Sequence, residues 1–213
     1  MIYLKIFKDK VSYLKKRTKF TDRTVGFKLL MRSKKEHILE IATKLFSEKG
    51  FEKTSVATIC EVANVSKGLV YHHFKSKDEI LIAIFERSTK EMVGLSNQEI
   101  KKNPRKKLIE IIEAVFYQLK TDKQLFKLNL NIMFQPSTRS ILEKQIKKRA
   151  TQLFNVVKDI FTEIDEQKSE LLTYVFISEI DGIALNYLSS FEEYPMQEMK
   201  NQLIKKYKND SKI

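Results

Sequence analysis

The sequence is poor in the residues that cross-link, break or kink a polypeptide. Among 213 residues there is a single cysteine, Cys60, which excludes an intrachain disulfide and fits a reducing compartment. Only three prolines and five glycines occur, and tryptophan is absent, as suits an all-α chain. The sequence also lacks a glycine-rich phosphate loop, a nucleophile elbow and an HExxH motif. These absences predict a helical protein that is not an enzyme and needs no cofactor.

Long apolar runs are missing too. A membrane-spanning helix needs about 20 apolar residues, and the nearest candidate, 174–188, is shorter and contains Glu179 and Asp181. The amino-terminal residues mix lysine with apolar side chains and lack the sustained apolar core of a secretory signal. The sequence therefore predicts a cytoplasmic protein.

Positive charge is abundant but unevenly distributed. The formal net charge is +13, and residues 1–30 hold nine Lys and Arg against Asp9 and Asp22. More than half of the excess thus lies in that segment, and charge alone does not establish DNA binding. Three interpretations of residues 1–30 stay open: an upstream start that is not native, with Met31 the true one; a basic arm that touches DNA phosphates; and a membrane-surface segment.

The most informative stretch is Thr54–Glu79, which predicts two short helices joined by a tight turn. Apolar residues recur at helical spacing in the first helix, and Asn64 stands where the backbone must reverse. Asn is one of the few residues that tolerate the left-handed conformation. Ser66 can cap the second helix, whose inward residues Val70 and Phe74 are four apart. This arrangement is that of a helix-turn-helix, whose second helix enters the DNA major groove.

Helical patterns surround this stretch. A capping box at Ser33 and Glu36 predicts the start of a first helix, and Gly50 its end. Behind the helix-turn-helix, the apolar spacing predicts a bridging helix and several longer ones, interrupted near each of the three prolines. We therefore expect an all-α fold of about nine helices. Residues 31–80 would form a three-helix domain that contains the helix-turn-helix, and residues 81–213 a larger helical domain.

A spaced string of residues runs through positions 32–85. It comprises Ile38, Ala42, Phe46, Gly50, Phe51, Thr54, Ile59, Ala63, Val65, Ser66, Lys67, Gly68, Tyr71, Phe74, Ser76 and Lys77. This string resembles the DNA-binding domain of the TetR family of bacterial transcriptional regulators. Cys60 and Asn64 depart mildly from the family's usual Ala and Gly. Beyond residue 85 the resemblance is limited to length and helical pattern.

The resemblance implies which side chains meet DNA. Gly68 would allow close approach to base edges, and Leu69 could press on a thymine methyl. Tyr71 and Lys77 match positions that grip phosphates. Taken singly, each of these residues could equally be core or solvated surface. The predicted DNA-binding residues are Thr54, Ser55, Ser66, Lys67, Gly68, Leu69, Tyr71, His72 and Lys77.

Other candidate sites are weaker. His72 and His73 are adjacent on one helix and point about 100° apart, and His37 lies in another helix, so we predict no metal site. The resemblance implies an effector cavity in the second domain, although most aromatic residues there are expected in the core. An apolar lining would suit an apolar small molecule. The candidate lining residues are Phe116, Phe126, Met133, Phe134, Phe154 and Phe176.

The segment Tyr174–Leu188 is apolar on more than one face, and Ser178 and Gly182 are small residues that let a second helix approach closely. The resemblance implies a homodimer interface of four helices, two from each subunit, over residues 168–190 and 195–208. It further implies a dimeric repressor that is released from a palindromic double-stranded DNA operator by a small-molecule effector. The alternatives are an activator or a protein-responsive regulator of the same fold and, from another class, a basic peripheral membrane protein.

Overall fold

The fold is given by a computed structural model, which describes residues 23–94 and 103–208. Over these ranges the chain forms nine α-helices and no strand, so the predicted all-α fold is confirmed. Most of the basic segment 1–30 and the polar connection at 95–102 lie outside the described residues. The helices are α1 (Arg23–Lys49), α2 (Val56–Ala63), α3 (Lys67–His73), α4 (Lys77–Gly94), α5 (Pro104–Thr121), α6 (Lys123–Phe134), α7 (Pro136–Thr162), α8 (Ser169–Leu185) and α9 (Met196–Lys208).

The first helix is longer than its sequence predicted. It begins at Arg23, so the expectation that a capping box at Ser33 starts it is wrong. No proline lies between these two positions, and the one glycine there, Gly26, costs only about 1 kcal/mol relative to alanine in a helix. Nothing in the sequence therefore interrupts the helix. Gly50 ends it as predicted, in the left-handed region at φ +85°.

The turn between α2 and α3 is built on Asn64. This residue has φ 51° and ψ 51°, the left-handed conformation that the sequence predicted. Its backbone N–H donates to the Glu61 carbonyl at 3.1 Å, and the N–H of Val65 donates to the Cys60 carbonyl at 3.0 Å. These two bonds close the end of α2 in the manner of a Schellman motif and turn the chain directly into α3.

One apolar cluster packs α1, α3 and α4 together. The rings of Phe46 and Phe51 meet edge to face, with centroids 5.1 Å apart, and Val70 and Phe74 are buried against the same cluster. Both inward residues predicted for α3 are thus confirmed as core. Because this side of α3 is buried, the opposite side of the helix faces solvent.

This cluster does not stop at residue 80. Leu128 and Ile132 of α6 and Leu142 of α7 are buried in it alongside the residues of α1 and α4. The helix-turn-helix unit therefore shares a core with the helices behind it. The division into domains at residues 31–80 and 81–213 remains a proposal. The first apolar cluster crosses that boundary, because it contains residues from both sides of it.

A second cluster joins α5, α7, α8 and α9. The rings of Phe161, Phe176 and Tyr207 lie with centroids 5.0 to 6.0 Å apart. The buried Tyr207 hydroxyl donates to a carboxylate oxygen of Glu179 at 2.6 Å, and Lys206 pairs with the other oxygen. This pairing satisfies the one polar atom of a large buried ring and holds α9 against α8.

The helix α8 continues as a π-helical turn, Asn186–Ser190. Together they make 22 residues from Ser169 to Ser190, and in the described part of the chain this is the one helix long and apolar enough to cross a membrane. The apolar segment singled out in the sequence, 174–188, lies within this helix. Only 28% of its most apolar window is buried within the chain, so much of its apolar surface faces outward.

The turn geometry predicts opposite effects for two substitutions at Asn64. Asn64→Gly keeps the left-handed conformation without a Cβ, and we expect the free energy of unfolding to stay the same or rise slightly. Asn64→Val places a β-branched residue there, which should lower that free energy by roughly 1–3 kcal/mol. Urea denaturation followed by circular dichroism measures both. Equal stability of the two variants would contradict the role assigned to the turn.

Candidate DNA-binding surface

Two serines begin the helices of the helix-turn-helix. Ser66 accepts a hydrogen bond from the N–H of Leu69 at 3.1 Å, which confirms it as the predicted cap of α3. Ser55 caps α2 in the same way, accepting from the N–H of Thr58 at 3.0 Å. Both hydroxyl groups lie at exposed helix amino termini, where backbone N–H groups and the helix dipole favour an anion such as a phosphate.

The outer side of α3 is the exposed one. Lys67, Gly68 and His72 are exposed, the side chain of Tyr71 is 51% exposed, and Leu69 is half-buried. These five residues were predicted as DNA contacts, and the structure brings them to one continuous helix surface. A short helix with a buried apolar side and an exposed polar and aromatic side has the shape needed to lie in a major groove.

Gly68 leaves open space on this surface. A Cβ built at this position would meet only the Ser66 hydroxyl oxygen, at 3.9 Å. No part of the described fold therefore requires a glycine here. The absent side chain would matter if another molecule approaches the backbone of α3 closely, as the predicted contact with base edges requires.

Lys77 is anchored at the junction of α1 and α4. Its ammonium group donates to the Phe51 carbonyl at 2.9 Å and to the Glu52 carbonyl at 3.5 Å, and it lies over the Phe51 ring at 4.2 Å from the centroid. Lys77 thus binds the turn that follows α1 to the start of α4. The side chain of Lys77 is half-buried. Its contact with a DNA phosphate stays a prediction.

The structure corrects one of the predicted contacts. Thr54 is only 1% exposed, and its hydroxyl donates to the Gly50 carbonyl at 2.8 Å. The side chain therefore supports the turn between α1 and α2 from within. It is not in a position to donate to a DNA phosphate, although the adjacent Ser55 is exposed.

The three histidines do not form a metal site. His37 lies 3.2 Å through Nε2 from the Ala63 carbonyl, and so ties α1 to the end of α2. The rings of His72 and His73 are 5.1 Å apart at 72°, and His73 Nε2 is buried with no hydrogen-bond partner among the described residues. Burial lowers the pKa of His73, and the neighbouring His72 and Lys35 lower it further. No group of three metal-binding side chains occurs within the described ranges.

The six aromatic and methionine residues suggested as a ligand lining do not meet in one place. Phe116 and Phe176 are buried in the second cluster, and Phe154 pairs with Tyr174 at 4.8 Å on the surface between α7 and α8. Phe126 is half-buried on α6. Met133 and Phe134 are exposed at the end of that helix, Phe134 to 72%. They are therefore not the lining of a single cavity in this structure.

Sequence reasoning missed a polar centre behind the recognition unit. Arg149 of α7 lies over the ring of Phe85 in α4, with Cζ 3.4 Å from the ring centroid, and hydrogen-bonds to several neighbours. A signal was present, because Arg149 occupies the inward register of α7 between two apolar residues, Ile146 and Leu153. A charged residue in that register is informative because burying it requires specific partners.

Comparison with known proteins agrees with this geometry. Residues 38–84 match the family model described as bacterial regulatory proteins, tetR family. An uncharacterised helix-turn-helix transcriptional regulator, YerO of Bacillus subtilis, is 31% identical over 115 residues, which are 52% of this chain and 40% of that protein. The matched region thus spans less than half the length of that relative.

Solved structures match over a longer part of the chain. A transcriptional regulator from Aquifex aeolicus has a TM-score of 0.67 and 28% identity, covering 82% of this chain and 98% of that one. The regulator FadR from Bacillus subtilis, solved in complex with stearoyl-CoA, has a TM-score of 0.68 at 21% identity, covering 81% and 96% respectively, and so shares the fold.

The capped turn, the buried side of α3 and its exposed outer side define a helix-turn-helix protein of the class that binds DNA. Residues 38–84 carry the domain described as bacterial regulatory proteins, tetR family, and the longer structural match to the Aquifex aeolicus regulator agrees with a transcriptional regulator of that family.

Gly68→Ala should separate folding from DNA binding. We expect an unchanged or higher free energy of unfolding, because alanine favours a helix by up to about 1 kcal/mol over glycine. We also expect affinity for a specific DNA site to fall by ~10-fold or more, since forcing a methyl into a packed contact costs roughly 1–3 kcal/mol. Fluorescence anisotropy with a selected duplex measures the affinity. A variant that binds like the unsubstituted protein would show that DNA does not approach Gly68 closely.

Proposed function

We propose that this protein is a homodimeric transcriptional repressor that binds a palindromic DNA operator in the cytoplasm and is released by an apolar small molecule. The observation that carries the DNA-binding part is the continuous exposed surface of α3 around Gly68 and Tyr71, opposite a side that the first cluster buries. Lys67, Gly68, Leu69 and His72 would read base edges. Ser55, Ser66, Tyr71 and Lys77 would position the phosphate backbone.

The dimer is supported by the outward surface of α8. Leu171 and Tyr174 are 64% and 57% exposed, and Leu185 continues the same stripe along the helix. Large exposed apolar side chains grouped on one side of a helix mark interaction surfaces, and the exposed Asp181 shares this side of α8. Ser178 lies on this stripe, and Gly182, beside it, has nothing within 4 Å of an added Cβ, so a helix from a second subunit has room to approach. A dimer contact on this surface would also explain why the helix from Ser169 to Ser190 is as long and apolar as a membrane-spanning helix.

Two-fold symmetry would give the dimer its specificity. Two copies of α3 related by a two-fold axis bind two half-sites about 34 Å apart, one turn of DNA. The first cluster connects α3 to α4, α6 and α7, and so offers a mechanical path from the second domain to the DNA-binding surface. An effector that favours a different arrangement of these helices would change this separation and release the DNA.

The class of effector is supported by the second domain and by one structural neighbour. The second cluster is built almost wholly from apolar and aromatic side chains. FadR from Bacillus subtilis, of the same fold, was solved with stearoyl-CoA. We therefore propose an effector with a long apolar chain, and we name long-chain acyl-CoA as the class to test first.

The operator is the first thing to test. Double-stranded sites selected from random sequence should converge on a palindrome, bound at least ~10³-fold more tightly than random duplex at physiological salt. Tyr71→Phe should weaken binding to specific and random DNA about equally, because the lost hydroxyl is expected to touch phosphate. Gel-shift titrations over a salt series measure both quantities.

The effector class is tested on the same complex. Stearoyl-CoA should release the protein from the selected site, whereas free coenzyme A, which lacks the apolar chain, should not. Equal, strongly salt-dependent binding to all DNA would contradict the repressor itself. Specific binding that stearoyl-CoA leaves intact would contradict only the effector class, and transcription in vitro from a promoter carrying the site would then distinguish repression from activation.

Gly182→Leu should weaken the dimer without disturbing the fold. Within one chain nothing lies within 4 Å of an added Cβ at this position, so the larger side chain should be accommodated. Across a close helix contact it should raise the dimer dissociation constant by ~10-fold or more, because overpacking costs roughly 1–3 kcal/mol. Analytical ultracentrifugation over a concentration series measures this constant.

Ser140→Leu is the matched control for the dimer. Ser140 is an exposed small residue on α7, away from the α8 stripe, and the substitution adds a similar apolar volume. We expect this variant to dimerise like the unsubstituted protein. If Gly182→Leu and Ser140→Leu had the same dissociation constant, the α8 surface would not be the dimer interface.

A further inference from the structure

Arg149 is a charged residue held on the inward side of α7. Burial lowers the pKa of its guanidinium group to about 10, so the group still carries its charge at neutral pH. None of the ion pairs between described residues includes Arg149. A half-buried cation without a carboxylate depends on neutral acceptors, and their positions therefore matter for its stability.

Those acceptors lie mainly on α4. Nη2 of Arg149 donates to the Phe85 carbonyl at 2.8 Å and to the Ser88 hydroxyl, and Nε donates to the Thr89 hydroxyl at 2.7 Å. Nη1 donates to the Asn129 side-chain oxygen of α6 at 3.0 Å. The planar guanidinium also stacks on the Phe85 ring. One side chain of α7 thus binds one turn of α4 at three atoms and α6 at a fourth.

The turn of α4 that Arg149 binds has an unusual hydrogen-bond pattern. The Phe85 carbonyl accepts from the Ser88 hydroxyl at 3.0 Å and from the Thr89 hydroxyl at 2.8 Å, in addition to Arg149. Three side-chain donors converge on one oxygen that also serves the backbone ladder of the helix. Back-bonding by Ser and Thr weakens and bends helices at such turns. The backbone ladder of α4 is therefore expected to be weaker at residues 85–89 than in the rest of the helix.

We propose that Arg149 is a positioning residue that fixes the direction of α4 at this turn, and thereby sets the half-site spacing that the dimer accepts. The proposal rests on the proposed function, because spacing has meaning only for a dimer on DNA. The physical path is short. Phe85 belongs to the same apolar cluster as Val70 of α3 and Phe74, which directly follows that helix. A change in the direction of α4 at this turn therefore displaces the recognition helix.

The test uses two substitutions and a matched control. Arg149→Met removes all the donors but keeps an unbranched side chain of apolar character, and the Phe85 carbonyl keeps the Ser88 and Thr89 hydroxyls as donors. Arg149→Lys keeps the charge but loses the planar fork. Lys148→Met changes the same charge at the exposed neighbouring position of α7. Circular dichroism and thermal unfolding first establish that all three proteins are folded.

The first measurement is amide hydrogen exchange without DNA. In Arg149→Met we expect faster exchange confined to the second half of α4, after Phe85, and unchanged exchange in α5 and α9. Arg149→Lys should be intermediate, and Lys148→Met should match the unsubstituted protein. Unchanged exchange in α4, or an acceleration spread over the whole chain, would overturn the positioning role whatever the DNA results are.

The second measurement is the tolerance of half-site spacing. Affinity is compared for the selected palindrome and for versions with one base pair added or removed between the half-sites. In Arg149→Met the preference for the selected spacing should fall by roughly two- to thirty-fold, while affinity for a single half-site stays unchanged. A purely structural role would alter both affinities together, and that result or an intact spacing preference would overturn the proposal. Failure of the unsubstituted protein to bind any site specifically would contradict the proposed function instead, and hydrogen exchange would still decide the role of Arg149.

Discussion

The burial of Val70 and Phe74 against α1 and α4 is the contact on which the rest of the DNA-binding surface depends. It fixes the rotation of α3 about its own axis, and a helix of only seven residues has no other means of holding one side outward. Gly68 and Tyr71 are exposed because the burial of Val70 and Phe74 turns the opposite side of α3 toward solvent. The capped turn at Asn64 sets where α3 begins, and packing decides which way it faces.

Polar bonds at the edges of this cluster set the positions of its helices. Lys77 binds the turn after α1 to the start of α4, and His37 connects α1 with the end of α2. Arg149 adds a third connection, from α7 to the middle of α4. Lys77 and His37 pair with carbonyls at or beyond a helix end, whereas Arg149 adds a donor to a carbonyl inside α4. Each bond contributes geometric precision more than net stability.

The shared core connects the recognition unit with the helices behind it, in which we propose that the effector binds. Because Leu128, Ile132 and Leu142 are buried with the residues of α1 and α4, movement in α6 or α7 reaches the recognition unit through packed side chains. A packed core transmits a displacement because it has little free volume to absorb it. In contrast, Leu171, Tyr174 and Leu185 on α8 face outward, where we propose that a second subunit packs.

The sequence alone determined the local structure, because helical spacing, capping serines and a left-handed Asn act over a few residues. The helix-turn-helix, its outward residues and the apolar α8 could all be predicted in this way. Tertiary structure decided what depends on distant parts of the chain. It buried Thr54 beneath the turn, dispersed the six candidate lining residues over separate places, and assembled the partners of Arg149 from α4 and α6. No spacing along one helix encodes such pairings, since the partners meet only when three helices have packed.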